Sequence, residues 1–222
     1  MTTIAMFPLG SVLFPHMPLQ LRVFESRYVV MLAEILEVEP AEFGVVLIER
    51  GQEVGGGEHR FAIGTVARIL QLEGAEGFIA VVAQGERRIA VERWLADEPF
   101  PQAVIRELPE LTWDDSLLPL RERAEHEVRR ALALASEFAD VPWASSVEIS
   151  DDPVEAAWQL AAIAPLGPVD QLELLGSTTM VQLLTATVRL VDAAADSLGQ
   201  PWPDGHGVFD DDGTDDDGTD DD

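Results

Sequence analysis

The spacing of apolar residues changes once along this chain, and that change limits the folds open to it. Up to about Leu108 they come in short runs rich in Val, Ile and Phe, punctuated by Gly and Pro, as strands require. "FGVVLIE" (43–49) suits a strand covered on both faces, and it ends at "RGQEVGGGEHR" (50–60), a Gly-rich mobile loop. "FAIGTVARILQLE" (61–73) is rich in β-formers, with Gly64 marking a bulge or a close backbone approach. "GAEG" (74–77) makes a turn; "FIAVVAQG" and "RRIAVERWL" follow as strands, and "AVIREL" (103–108) is the last. One helix interrupts the series. Ser26 is its N-cap, Tyr28, Met31, Leu32 and Ile35 fall at helical spacing, and it ends near Glu39, before Pro40.

From Ser116 the period is helical. "SLLPLRERAEHEVRRALALASEFAD" gathers Leu120, Ala124, Val128, Ala131 and Leu132 on one face, with charges opposite. "DPVEAAWQLAAIAP" opens with Asp152 as N-cap and Pro153 at the first helical position, a specific start signal. "GPVDQLELLG" repeats the pattern, and "STTMVQLLTATVRLVDAAADSLG", capped by Ser177 or Thr178, is the last helix. Strands first and helices after define an α+β chain. The expected layout is a partly closed β-barrel with one early helix over 1–112, a helical bundle over 113–200 and an Asp-rich tail over 201–222, with "LTWDD" (111–115) as the junction. The tail "DDDGTDDDGTDDD" cannot bury apolar surface and is expected to be disordered.

Charge narrows the partners. The chain of 222 residues carries a net charge of −27. Setting aside the ten Asp from Asp204 to Asp222 leaves 31 acids against 14 bases, a charge of −17 on the part expected to fold. Such a surface repels phosphate backbones and anionic lipid, so neither nucleic acid nor membrane is the expected partner. The N-terminus has no secretory pattern and no run is long enough for a membrane span, which points to the cytoplasm.

Missing residue types exclude chemistry. With no Cys, disulfides, thiolate nucleophiles and Cys-ligated zinc are ruled out. With no Lys, a GxxxxGK[ST] phosphate loop, a Ser–Lys dyad and Schiff-base catalysis are ruled out. No Ser sits in a GxSxG elbow. His16, His59, His126 and His206 are scattered without HxxxH or HExxH spacing, so no metal site and no cofactor are expected. "VFDDDG" has Val208 where a calcium loop needs its first Asp, and no Glu follows. Arg87–Arg88 and Arg129–Arg130 read as solvated patches paired with Glu86, Glu92, Glu125 and Glu127.

What remains is apolar. The segment from Phe7 to Tyr28 carries Phe14 and Met17 on either side of Pro15 and His16, in a Pro-stiffened loop before the helix. Apolar residues exposed in such a loop suit capture of an apolar partner segment, so Phe14, Pro15, His16 and Met17 are the candidate protein-binding residues.

"MFPLGSVLFPHMPLQLRVFESRY" (6–28) resembles the opening of the Lon protease N-terminal, substrate-binding domain, which typically begins "PL…VLFPG…LPL.IFE.RY". "FGVVLIERGQEVGG" (43–56), "IGTVARI" (63–69), "GERRIAVERWL" (85–95) and "FPQAVIREL" (100–108) follow in the family's order, and the helices extend the resemblance loosely to about residue 198. The resemblance implies a PUA-like β pseudo-barrel followed by a helical bundle, and recognition of protein substrates. Without the ATPase and peptidase of full-length Lon, it implies a stand-alone, non-enzymatic member that binds protein clients or docks onto a protease or chaperone. His16 stands where many small relatives have Gly. In "FE.RY", Glu25 and Arg27 are expected to pin the strand–helix junction while Phe24 and Tyr28 pack the helix on the barrel. Two other functions stay open: RNA binding, as in PUA-like barrels elsewhere, and a small-ligand or enzyme site in the barrel–bundle cleft with Glu25, Glu49 or Glu58 as acid–base groups.

Overall fold

The computed structural model describes residues 2–48 and 60–198. Six strands and one helix form its first part: β1 (Thr2–Leu9), β2 (Pro18–Val23), α1 (Ser26–Ile35), β3 (Glu42–Ile48), β4 (Arg60–Ala75), β5 (Phe78–Trp94) and β6 (Gln102–Glu107). β1 pairs parallel with β3, Met6 opposite Gly44 through Leu9 opposite Leu47. A parallel pair needs a crossover, and α1 lies within it. All other pairs are antiparallel. The sheet order is β2-β5-β4-β3-β1-β6, and β6 returns to β5, closing β5, β4, β3, β1 and β6 into a ring.

β1 was not among the strands expected from sequence, and the two runs read at 78–95 are one strand of 17 residues. β5 runs unbroken because its lower half pairs with β2 and its upper half with β6. Gly77, at φ 84°, makes the turn between β4 and β5. Gly64 is a close approach, as expected: a Cβ there would lie 2.1 Å from the Val45 carbonyl oxygen.

α1 starts one residue earlier than expected, with Glu25 as the extended N-cap residue and Ser26 already helical. It ends at Ile35, four residues before Glu39. Tyr28, Met31 and Leu32 pack it down, and the Tyr28 ring stacks on Phe7 at 4.0 Å. Phe24 does not join them: it is 71% exposed.

After a 3-10 turn (Asp115–Leu117) come α2 (Leu118–Ala135), α3 (Pro153–Ile163), α4 (Pro168–Leu175) and α5 (Met180–Leu198). The Asp152 carboxylate accepts from the amides of Val154 and Glu155, as its position before Pro153 predicted. The last helix is capped one residue later than expected, by the Thr179 hydroxyl oxygen, which accepts from the Gln182 amide. The apolar face of α2 buries Ala124, Val128, Ala131 and Leu132.

One hydrophobic core runs through both parts. It includes Phe43, Val81 and Ala83 of the strands, Leu13 and Phe14 of the opening loop, and Trp158, Leu174 and Leu184 of the helices. Packing is therefore continuous across residues 112 and 113. A smaller cluster (Met6, Val46, Val66, Ile89, Ala103 and Ile105) uses the alternate side chains of the ring strands. The tail expected over 201–222 lies outside the described residues.

Candidate functional site

The loop between β1 and β2 is a wedge, and this corrects the exposure expected of it. Phe14 and Met17 are 1% and 8% exposed, Pro15 is buried and His16 half-buried. The Phe14 ring meets Trp158 of α3 at 6.2 Å. The loop is sewn to the sheet by its backbone. The Thr65 hydroxyl donates to the Leu13 carbonyl at 2.6 Å, the His16 amide to Gly85, and the Gly85 amide to Met17. Gly85 admits the loop, since a Cβ there would sit 2.1 Å from the Phe14 carbonyl oxygen. A Pro-stiffened apolar loop looks exposed in the sequence only because the helices that cover it come more than a hundred residues later.

His16 adopts φ 62°, the left-handed region that favours glycine. The resemblance drawn from sequence, with Gly at this place in many relatives, now has a backbone reason.

The wedge separates two clefts. An apolar one of about 300 Å³ is lined by Leu13, Met17, Leu19, Leu132, Trp143 and Ile163, among others. A more polar one of about 440 Å³ is lined by Pro15, His16, Arg88, Glu155 and Trp158, among others, with His16 Nδ1 3.6 Å from Glu155 Oε1. The Arg88 guanidinium is committed to structure. It donates to the carbonyls of Leu175 (2.9 Å), Ser177 (2.6 Å) and Pro109 (2.7 Å), and it lies 4.9 Å from the Trp158 ring centroid. Burial lowers its pKa. It sits at the negative end of α4, where a cation is favoured. Sequence reading took Arg88 for a solvated residue, and no local signal distinguishes it from Arg87.

Of the three acid–base candidates only Glu25 lies among the described residues, and it lines neither cleft. Glu25 is exposed and paired with Arg27, two residues on, at 2.9 Å, a local ion pair at the start of α1. Glu49 and Glu58 lie outside the described residues. Among the described residues no group of three His, Asp or Glu side chains is placed to hold a metal ion. The other clustered arginines face carboxylates: Arg87 meets Glu42 and Glu107, Arg129 meets Glu125, and Arg130 meets Glu127 and Asp192. Glu42, then Glu107, hold the Arg87 pKa above its ordinary value.

Five of the ten exposed large apolar residues among the described ones lie on α1 and its flanks; the others, Leu70, Leu118, Phe138, Val169 and Val181, are spread over the rest of the chain. Val29 and Val30 point away from the core, Phe24 precedes the helix, and Leu36 and Val38 follow it; Phe24 and Val38 are 71% and 63% exposed. The sequence carried this signal, since Val29 and Val30 fall outside the stripe of Tyr28, Met31, Leu32 and Ile35. Beyond Val38 the surface drops into a pocket of about 400 Å³. Its apolar floor includes Ala5, Phe100 and Ile105, and its rim carries Glu34, Glu42, Glu107 and Arg87. No helix among the described residues is long and apolar enough to cross a membrane.

The family model for the substrate-binding domain of ATP-dependent protease La (Lon) matches residues 3–193. No curated protein matches the sequence. Among solved structures, the chain is similar to a Lon N-terminal domain protein from Xanthomonas campestris, at 23% identity and a TM-score of 0.59, over 83% of this chain and 96% of that one. It is also similar to the N-terminal domain of a Mycobacterium avium complex Lon protease, at 16% identity and a TM-score of 0.60, over 86% and 98% of the two chains. These likenesses establish a shared α+β fold.

Proposed function

The chain belongs to the Lon substrate-binding domain family, and from that premise we propose that it is a non-enzymatic module which binds unfolded or apolar protein segments on the outward side of α1. The observation that carries this reading is the exposure of Phe24, Leu36 and Val38 around a helix whose other side is locked into the core. Covering each of those side chains with a partner's apolar surface contributes about 1–2 kcal/mol. Phe14, Pro15, His16 and Met17 serve the site indirectly, by fixing the bundle on the barrel. Nucleic acid is disfavoured by the acidic balance and by the carboxylates that engage Arg87, Arg129 and Arg130. The clients are placed in the cytoplasm, where unfinished and damaged chains expose such segments.

The test is binding of a reduced, alkylated and permanently unfolded protein against the same protein in its native form, read by fluorescence anisotropy. The unfolded form is expected to bind and the native form not. The double variant Phe24→Ser/Val38→Ser, which alters only exposed positions, is expected to weaken binding about tenfold or more. Equal binding of the two forms, or an unaffected variant, would remove the proposal.

A further inference from the structure

The apolar side of α1 is edged by carboxylates, and this gives its occupant a chemistry. Glu34, Glu37 and Glu39 are exposed on α1 and the turn after it. In the adjoining pocket, which shares Val38 and Glu34 with this face, Glu42 and Glu107 both bind Arg87. Three carboxylates and one guanidinium leave the pocket rim with two negative charges. No basic residue occurs between Arg27 and Pro40, and Arg27 is held by Glu25.

We infer that the preferred occupant is a polypeptide segment whose apolar residues are flanked by Lys or Arg: the apolar part covers Phe24, Val30, Leu36 and Val38, and a basic side chain enters the pocket rimmed by Glu34, Glu42 and Glu107. The inference rests on the protein-binding reading above and narrows it to a class of client. Charge complementarity selects this occupant over others. A second copy would bring the same carboxylates against themselves, on a chain with a net charge of −27. An acidic client would meet the same repulsion. A basic side chain laid across the rim keeps its aliphatic stem on Val38 and the pocket floor while its head meets the carboxylates.

The experiment uses the full chain and three short peptides with one shared apolar heart, flanked by Lys/Arg, by Ser or by Glu. Binding is read by anisotropy at about 50 mM and about 300 mM salt, spanning strong and weak screening. The Lys/Arg peptide is expected to bind about tenfold tighter than the Ser peptide at low salt, with the gap closing at high salt and the Glu peptide weakest. Glu34→Gln/Glu107→Gln, which removes the rim's net negative charge and leaves Glu42 on Arg87, is expected to shrink that gap while leaving the Ser peptide unchanged. Phe24→Ser/Val38→Ser is expected to weaken all three.

Equal binding of the three peptides, lost in Phe24→Ser/Val38→Ser, would overturn the basic-flank inference and leave the apolar reading standing. Binding of none would overturn both. A charge preference untouched by the Glu→Gln variant would place the selecting carboxylates elsewhere and overturn the inference. Sedimentation velocity covers the remaining occupant: a dimer that Phe24→Ser/Val38→Ser converts to monomer would make this side of α1 a self-interface and overturn it too.

Discussion

Replacing Arg88 by Met should cost this protein a large share of its stability without touching its surface. Arg88 is 5% exposed, and its guanidinium gives three hydrogen bonds to carbonyls, two at the end of α4 and one after β6. Charge-assisted bonds are worth about 1.5–3 kcal/mol each, and part of that total is returned because an arginine no longer has to leave water. Methionine fills much of the volume but leaves the buried carbonyls of Leu175 and Ser177 without this donor, while the part-buried Pro109 carbonyl can turn to water, so the net loss should be about 3–5 kcal/mol. Against a typical total of about 5–15 kcal/mol the variant should still fold, with a clearly lowered urea midpoint. Intrinsic fluorescence is a suitable probe, because Trp158 lies directly beneath the guanidinium. Arg88→Lys should recover about half the loss, since one ammonium keeps the charge at the helix end but cannot span all three carbonyls or stack as a planar fork. A loss below about 1 kcal/mol for Arg88→Met would refute the claim that this side chain ties the strands to the helices. A lysine variant equal to wild type would show that charge at the helix terminus, rather than the fork, is what counts.

Three further changes probe the wedge and its surroundings. Gly85→Ala pushes a methyl to 2.1 Å from the Phe14 carbonyl oxygen and must displace the loop, so thermal unfolding should show a loss of about 2–4 kcal/mol. His16→Gly should stabilise by about 0.5–1 kcal/mol, the relief of a left-handed residue less the extra entropy of glycine in the unfolded chain, while His16→Val should destabilise by more than about 1 kcal/mol. The same sign for both in denaturant titrations would contradict the backbone argument. Ser177 is 1% exposed, and its hydroxyl has no hydrogen-bond partner among the described residues. Ser177→Ala should therefore raise stability by about 1 kcal/mol, and a drop in Tm would mean that the hydroxyl is satisfied.

Elements whose signals are local could be read from the sequence, and those whose causes are distant could not. Asp152 followed by Pro153 specifies a helix start within four residues, and the structure has it there. Gly64 was legible because an isolated glycine in a strand run has few other uses. Phe14 and Met17 were misplaced because what buries them comes from α2 and α3, and no local pattern says where a later helix will land. Arg88 and its neighbour Arg87 look alike in sequence, but strand alternation sends one to a helix end and the other to two carboxylates. β1 escaped notice because Pro8 and two threonines dilute its apolar run, and its ladder partners lie far along the chain. The side of α1 offered as the binding surface is legible as a doubled valine, Val29 and Val30, off the stripe of Tyr28, Met31, Leu32 and Ile35.

The closed ring has a consequence for how the chain comes into being. Thr2–Leu9 leaves the ribosome before either strand it pairs with, Glu42–Ile48 or Gln102–Glu107. At about 5–20 residues per second, roughly 5–20 s separate its appearance from that of its final partner. Until Glu42–Ile48 emerges both of its edges are open, and from then until Gln102–Glu107 emerges one still is, with Ile4, Met6, Phe7 and Leu9 incompletely covered. Every newborn copy thus passes through a stage in which Thr2–Leu9 is an unprotected apolar strand, and its yield in the cell depends on what meets that strand before the ring shuts.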